Sequence, residues 1–148
     1  MSEYKIQLEW TKKDGQPYHR MATLNSKEDG IPEITAVTPP EFGNGIPNHW
    51  SPEHLFVASS VSCFFTTLLK ISDDSNLKIK DLKISATGLL EETDAGSIIS
   101  KIDLYPVLTL ESEKFEKKTK RILEKAEENC LVSKSIRSSV ILHPEINW

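Results

Sequence analysis

The sequence predicts a mixed fold of strands and helices, in the order strands, helix, strand pair, helix, strand. Three observations carry that reading: short runs of alternating apolar residues, one long apolar segment near the middle, and a charged amphipathic stretch toward the C-terminus. Residues 4–10, YKIQLEW, put Tyr4, Ile6, Leu8 and Trp10 on one side of an extended chain, and after DGQP a second extended piece, YHRMATL, completes a hairpin. A weaker strand around Ile34 to Val37 runs into TPPEFGNGIPN, whose proline and glycine density marks a loop ending at His49 and Trp50.

Ser51 then suits a helix N-cap, Pro52 the first turn and Glu53 the dipole-favoured position near the N-terminus, so a helix is predicted from about Pro52 to Ile71. KIKDLKISATGLLEE and SIISKIDLYPVLTL, separated by the turn residues TDAGS, predict a long hairpin. ESEKFEKKTKRILEKAEENC is an amphipathic helix with Phe115, Ile122, Leu123 and Ala126 on its buried stripe, KKTKR as a solvated face and Cys130 at its end. SIRSSVILHPEI supplies a last strand.

At 148 residues the chain is expected to form one domain, 1–148, with a core that requires neither metal nor disulfide. A net charge of −4 and a pI near 5.6 argue against nucleic acid or an anionic membrane as partner. No positively charged leader opens the chain, and the most apolar window, Leu55 to Leu69, is shorter than the roughly 20 residues a bilayer requires, so a soluble cytoplasmic protein is expected. The central helix is apolar around most of its circumference, which predicts a second copy of the chain packed on it as a homodimer.

The chemistry is sought in two cysteines. Cys63 sits deep in the apolar helix and reads either as a small packed hydrophobe or as a reactive thiol. Cys130, at a helix end with Lys and Ser nearby, reads as a core residue of the cap or as a thiol that a second sulfur can reach. Glu53 lies ten positions before Cys63, about 15 Å along one helix, so only an antiparallel partner helix brings the two near; otherwise it complements the dipole. Arg20 is the best cation to lower a thiol pKa that burial raises, or else an exposed strand residue. His49 and His54 have the wrong separation for two ligands on one helical face, and zinc, phosphate-loop and nucleophile-elbow motifs are missing, so no metal or organic cofactor is expected.

Three stretches in order, PPEFGNG, WSPEHLFVASSVSCFFTTLL and AEENCLVSKSI, resemble the osmotically inducible protein C and organic hydroperoxide resistance superfamily, OsmC/Ohr, in its OsmC-like branch. The resemblance implies an α+β fold in which two chains intertwine, with central apolar helices between curved antiparallel sheets and two sites at the subunit interface. It further implies a peroxidatic Cys63, a resolving Cys130, and Glu53 paired with an arginine that steadies the thiolate. The family's arginine stands near an R-D-G turn, where this chain has Lys13, Asp14 and Gly15; the nearest arginine is Arg20, and Lys does not offer the bidentate fork of Arg. Leu131 occupies a position where many relatives have proline.

The implied reaction is reduction of an organic hydroperoxide to an alcohol through a Cys63 sulfenate and a Cys63–Cys130 disulfide, restored by an external dithiol, in relatives often a lipoyl group. Phe56, Phe64, Phe65 and Trp50 are the expected apolar lining. The alternative is a non-catalytic OsmC-like protein that binds an apolar small molecule and whose thiols are incidental.

Overall fold

The computed structural model describes residues 1–12, 14–15 and 19–148, and the chain separates into two compact units, Met1–Leu55 and Phe56–Trp148. Lys13 and the 16–18 part of the expected hairpin lie outside the described residues.

In the first unit, β1 (Gln7–Glu9), β2 (Met21–Ser26) and β3 (Ile31–Val37) form an antiparallel sheet in the order β1-β2-β3. The expected hairpin is present, with Gln7 opposite Asn25 and Glu9 opposite Thr23. The first strand is shorter than the alternation from Tyr4 to Trp10 predicts: all four of these apolar side chains stay exposed, so burial of their own does not hold the ends of the strand in the ladder. The PPEFGNG loop folds back on itself: Ile46 donates its N–H to Thr38 O at 2.9 Å and Phe42 donates to Pro39 O at 3.1 Å. Gly45 is required there, since a side chain at that position would run into the Pro39 carbonyl. Ser51 is a true N-cap, its buried Oγ accepting the His54 N–H at 3.2 Å.

The helix so capped, α1 (Pro52–Asp74), opens in the first unit and continues through the second. It runs past Ile71 because its true stop signal is Asn76, held at φ 51° in the left-handed conformation. Leu77 then donates to Ser72 O at 2.8 Å and Asn76 to Asp73 O at 3.0 Å, the paired bonds of a Schellman cap, with Leu77 buried beside them. By length and composition the 23-residue helix could cross a bilayer, with a mean hydropathy of 1.6 in its most apolar window. Within the chain it buries one stripe, Ser60, Phe64, Leu68 and Ser72, spaced every four residues. Phe65 and Leu69, on another side, remain 42% and 36% exposed.

In the second unit β4 (Ile79–Thr93) and β5 (Gly96–Leu110) make the predicted antiparallel hairpin, closed by Gly96 at φ 103°. Along β5, Ile102, Leu104, Leu108 and Leu110 are buried on one face, while Lys101, Asp103 and Tyr105 occupy the other. A single 3-10 turn (Glu113–Phe115) leads into α2 (Glu116–Asn129), which is followed by a short α3 (Leu131–Ser135). The expected last strand is two strands, β6 (Ser139–Leu142) and β7 (Glu145–Asn147), separated at Pro144, which has no N–H for a ladder. Both run parallel to β5, so this sheet is mixed where antiparallel pairing was expected; the crossover through α2 and α3 returns the chain in the direction of β5. Phe64 and Leu68 of α1, Ile122, Leu123 and Ala126 of α2 and the inward row of β5 form the core. Burying Phe64 alone is worth about 1.5–3 kcal/mol.

Candidate functional site

The register that turns Phe64 into the core sets Cys63 one residue back, about 100° around the helix, where it is only half-buried. Cys130 stands at the break between two helices. Its extended backbone, φ −64° and ψ 117°, ends α2 with an N–H donated to Glu127 O at 3.0 Å, and it starts α3 by accepting the Lys134 N–H at 3.1 Å. That break points the first turn of α3 at Cys63: Val132 donates its N–H to Cys63 Sγ at 3.5 Å. The Leu131 N–H, the Cys130 S–H and the Thr67 hydroxyl, one helical turn beyond Cys63, also lie within hydrogen-bonding reach of that sulfur.

The two thiols therefore titrate in opposite directions. Burial is the largest single influence on Cys63 and pushes its pKa up, but hydrogen bonds from Val132, Cys130, Leu131 and Thr67 together outweigh it, and the thiol lies below its ordinary value. Cys130 is fully buried, and burial raises it; donors from Ser133 offset only part of that, and its proton is further held by the bond to Cys63. One sulfur is predisposed to be thiolate and the other thiol.

Two of the four residues expected at the site are thus brought together by hydrogen bonds. Glu53 and Arg20 belong to the first unit. Glu53 occupies the second helical position of α1, and its Oε2 is buried with no hydrogen-bond partner among the described residues. Arg20 is exposed just before β2, accepts the Thr38 N–H on its backbone oxygen at 3.0 Å, and lines a cavity of about 300 Å³ with Leu8, Trp10 and Met21. No ion pair joins Arg20 to Glu53 among the described residues.

The expected apolar lining needs correction: Phe64 is 0% exposed and packs in the core. Phe65 instead forms part of an apolar cavity of about 370 Å³ with Ala58, Val61, Leu82 and Ile84, and Trp50 lies in the first unit. On another side of α1 a polar groove of about 750 Å³ begins at Thr66 and Thr67 and passes Lys70, Lys125, Glu128 and Asn129. Sequence reasoning noted Leu131 only as a departure from proline and gave no site role to Thr67, Leu131, Val132 or Ser133. The i, i+4 spacing of Cys63 and Thr67 was readable, whereas the backbone donors depend on a turn between helices that no side-chain pattern marks.

Residues 43–145, more than two thirds of the chain, match the family of OsmC-like proteins. The chain belongs to the OsmC-like protein family. An uncharacterized Bacillus subtilis protein, YmaD, is 24% identical over 115 residues, which span 76% of this chain and 77% of that one. An OsmC-like protein of unknown function from Vibrio cholerae has a similar structure, with a TM-score of 0.86 at 24% identity and coverage of 97% of this chain and 99% of that one. An organic hydroperoxide resistance protein from Elizabethkingia anophelis is also similar, with a TM-score of 0.70 at 20% identity and coverage of 99% and 97%. The α+β fold of helices and mixed sheet is that of the OsmC/Ohr superfamily.

Proposed function

We propose that this OsmC-like protein is a thiol-dependent peroxidase that reduces organic hydroperoxides to alcohols. The observation that carries the reading is the pairing of Cys63 with the turn at Cys130, in which Val132 N–H lies 3.5 Å from Cys63 Sγ and two sulfurs of opposite pKa displacement share a hydrogen bond. Membership in a superfamily that includes proteins named for organic hydroperoxide resistance supports it.

The Cys63 thiolate attacks the distal oxygen of the hydroperoxide; the O–O bond breaks, the alkoxide takes a proton and leaves as alcohol, and Cys63 becomes a sulfenic acid. Cys130 Sγ then attacks the Cys63 sulfur, an S–S bond forms, and the hydroxyl leaves as water with the Cys130 proton. An external dithiol, a lipoyl group being one example, reduces the disulfide by exchange. No metal or organic cofactor takes part.

The working unit is a soluble cytoplasmic homodimer of single 1–148 domains. Its formation covers the exposed Phe65 and Leu69 of α1 and gives the Glu53 oxygen, unpartnered among the described residues, a cation, in this reading Arg20 of one of the two chains. Sedimentation at micromolar concentration tests it, and a monomer would remove this part of the proposal.

Treating reduced protein with cumene hydroperoxide should remove two titratable thiols per chain, and Cys63→Ser should leave its remaining thiol untouched. Unchanged thiols in the wild-type chain would refute the reading. The apolar cavity beside Phe65 favours a second one, a carrier of an apolar small molecule, whose signature would be a co-purifying ligand together with inertness to peroxide.

A further inference from the structure

The basic run KKTKR is more than a solvated face. Lys114, Lys117, Lys118, Arg121 and Lys125 line one cavity of about 400 Å³, with no acidic side chain among its walls, on a chain whose net charge is −4. Lys118, Arg121 and Lys125 follow the i, i+3, i+7 spacing of a single stripe on α2, and Lys114 joins them from the 3-10 turn before it. Lys120, off that stripe, is instead paired with Glu116 on the exposed surface. The Lys118 ammonium donates to the Ser75 backbone oxygen, which fixes the end of α1 against α2.

This cationic cavity shares Ser75 and Lys125 with the polar groove that runs toward Thr67 and Asn129. The two form one track along α1 and α2. At one end stand Thr67, which hydrogen-bonds Cys63, and Asn129, the neighbour of Cys130; at the other stand the five cations. Counted along α2, Arg121 and Lys118 lie about 12 and 16 Å from Asn129. Between the ends the groove mixes apolar surface, Ile71 included, with charged side chains: Lys70 is held by Asp74 in an exposed ion pair that a ligand can displace, and Glu128 stands on the opposite wall.

We propose that this track binds a small thiol whose sulfur is joined to a phosphate by an extended polar arm, the phosphate resting on Lys118, Arg121 and Lys125 and the sulfur reaching Cys63. Phosphate suits the far end because an Arg between lysines offers bidentate bonds and neutralises more than one negative charge. A thiol suits the near end because the half-exposed sulfur there is Cys63, while Cys130 is closed to solvent.

This deepens the peroxidase reading, with two equivalents of a small monothiol in place of its external dithiol, and rests on it for the exchange step. The incoming thiolate attacks Cys63 Sγ in the disulfide, the Cys63–Cys130 bond breaks, and Cys130 leaves as thiolate and takes a proton. A mixed disulfide remains on Cys63. A second thiolate attacks the small-molecule sulfur, releasing Cys63 thiolate and a symmetrical disulfide. Two thiols thus surrender the two electrons and two protons that convert the hydroperoxide to alcohol and water.

Coenzyme A is the probe, and pantetheine, the same thiol arm without phosphate, is its comparison. On Cys63→Ser protein, which cannot exchange, coenzyme A should bind roughly tenfold or more tightly than pantetheine. That advantage should fade with added salt and disappear in Lys118→Gln/Arg121→Gln, while Lys80→Gln/Lys83→Gln on β4, with the same loss of two charges, keeps it. Hydroperoxide-oxidised wild-type chain should acquire a coenzyme A adduct, located on Cys63 by peptide mass spectrometry. Equal binding of the two thiols, indifference to Lys118→Gln/Arg121→Gln, or binding of inorganic pyrophosphate without any adduct from coenzyme A would each overturn the proposal. Thiols that survive hydroperoxide would sink the peroxidase reading separately, since binding to the Cys63→Ser protein does not depend on it.

Discussion

Cys63 and Cys130 share one hydrogen bond and lie on opposite sides of the ordinary thiol value, because they differ both in burial and in the donors that reach them. Burial raises both. Cys63 faces the opening turn of a helix, where backbone N–H groups have no partner inside the helix, and a hydroxyl from its own next turn closes the ring of donors. Cys130, 0% exposed and at the residue that makes that turn, receives Ser133 and donates its own S–H to Cys63, which keeps it protonated. The backbone donors at Cys63 are therefore supplied by a chain break between helices, which needs no side chain of particular charge.

The sharpest way to test the difference is to remove one sulfur at a time. Cys63→Ser should bring hydroperoxide consumption to background, whereas Cys130→Ser should keep the first oxidation and stop at a sulfenic acid trapped by dimedone and seen by mass. A Cys130→Ser protein that forms no sulfenate would mean that the roles are assigned the wrong way round.

Leu131→Pro comes next. Proline fits the first position of α3 without strain but carries no N–H, so one donor to Cys63 is lost with the turn intact. The Cys63 pKa should rise and oxidation at neutral pH should slow several-fold, the loss recovering as pH is raised. An unchanged pH profile would show that the backbone donors are idle. Thr67→Val should move the profile in the same direction by less, because it is the smallest of the named influences. Ser133→Ala should act on the other sulfur, raising Cys130 and slowing disulfide closure while leaving sulfenate formation as it was.

The smallest effect on this chemistry is expected far from the sulfurs, at Asp103. Its carboxylate accepts from His143 Nε2 at 2.7 Å and pairs with Lys101 at 2.9 Å, while the His143 ring stacks on Tyr105 with centroids 4.8 Å apart. His143 first and Lys101 second hold the Asp103 carboxyl below its ordinary value. A depressed carboxylate stabilises the fold fully above the unfolded value of about 3.9, and the contribution is lost as pH falls through the lower folded value. Melting temperature should therefore decline with acid in that window, and Asp103→Asn should flatten the decline with no change in thiol reactivity. A thiol effect would couple the sheet face to the site and weaken the local account given for Cys63.

Much of this arrangement was legible in the residues. The alternation of β4 and β5, the turn at TDAGS and the Ser51 cap each follow from local chemistry, and each is found where that chemistry puts it. The boundaries that failed are those set from outside the segment: the apolar side chains around β1 stay exposed, α1 extends to a cap centred on Asn76, and Pro144 divides the last strand. At the site, the two cysteines could be picked out by type and context. The donors around Cys63 could not, because three of the four arrive on a turn 67 or more residues later and two of those are backbone N–H groups, which every residue other than proline carries. The reading of Phe64 as site lining failed for a related reason: on a helix apolar all round, composition does not say which residue faces the core.

The most direct measurement is the rate of iodoacetamide alkylation at each cysteine of the reduced wild-type chain as a function of pH, read by peptide mass spectrometry. Cys63 should react first, with a midpoint below that of an ordinary thiol, and Cys130 should lag at every pH and titrate above it. Equal midpoints, or a Cys130 that reacts ahead of Cys63, would contradict the claim that the turn after Cys130 holds the Cys63 thiol below its ordinary pKa.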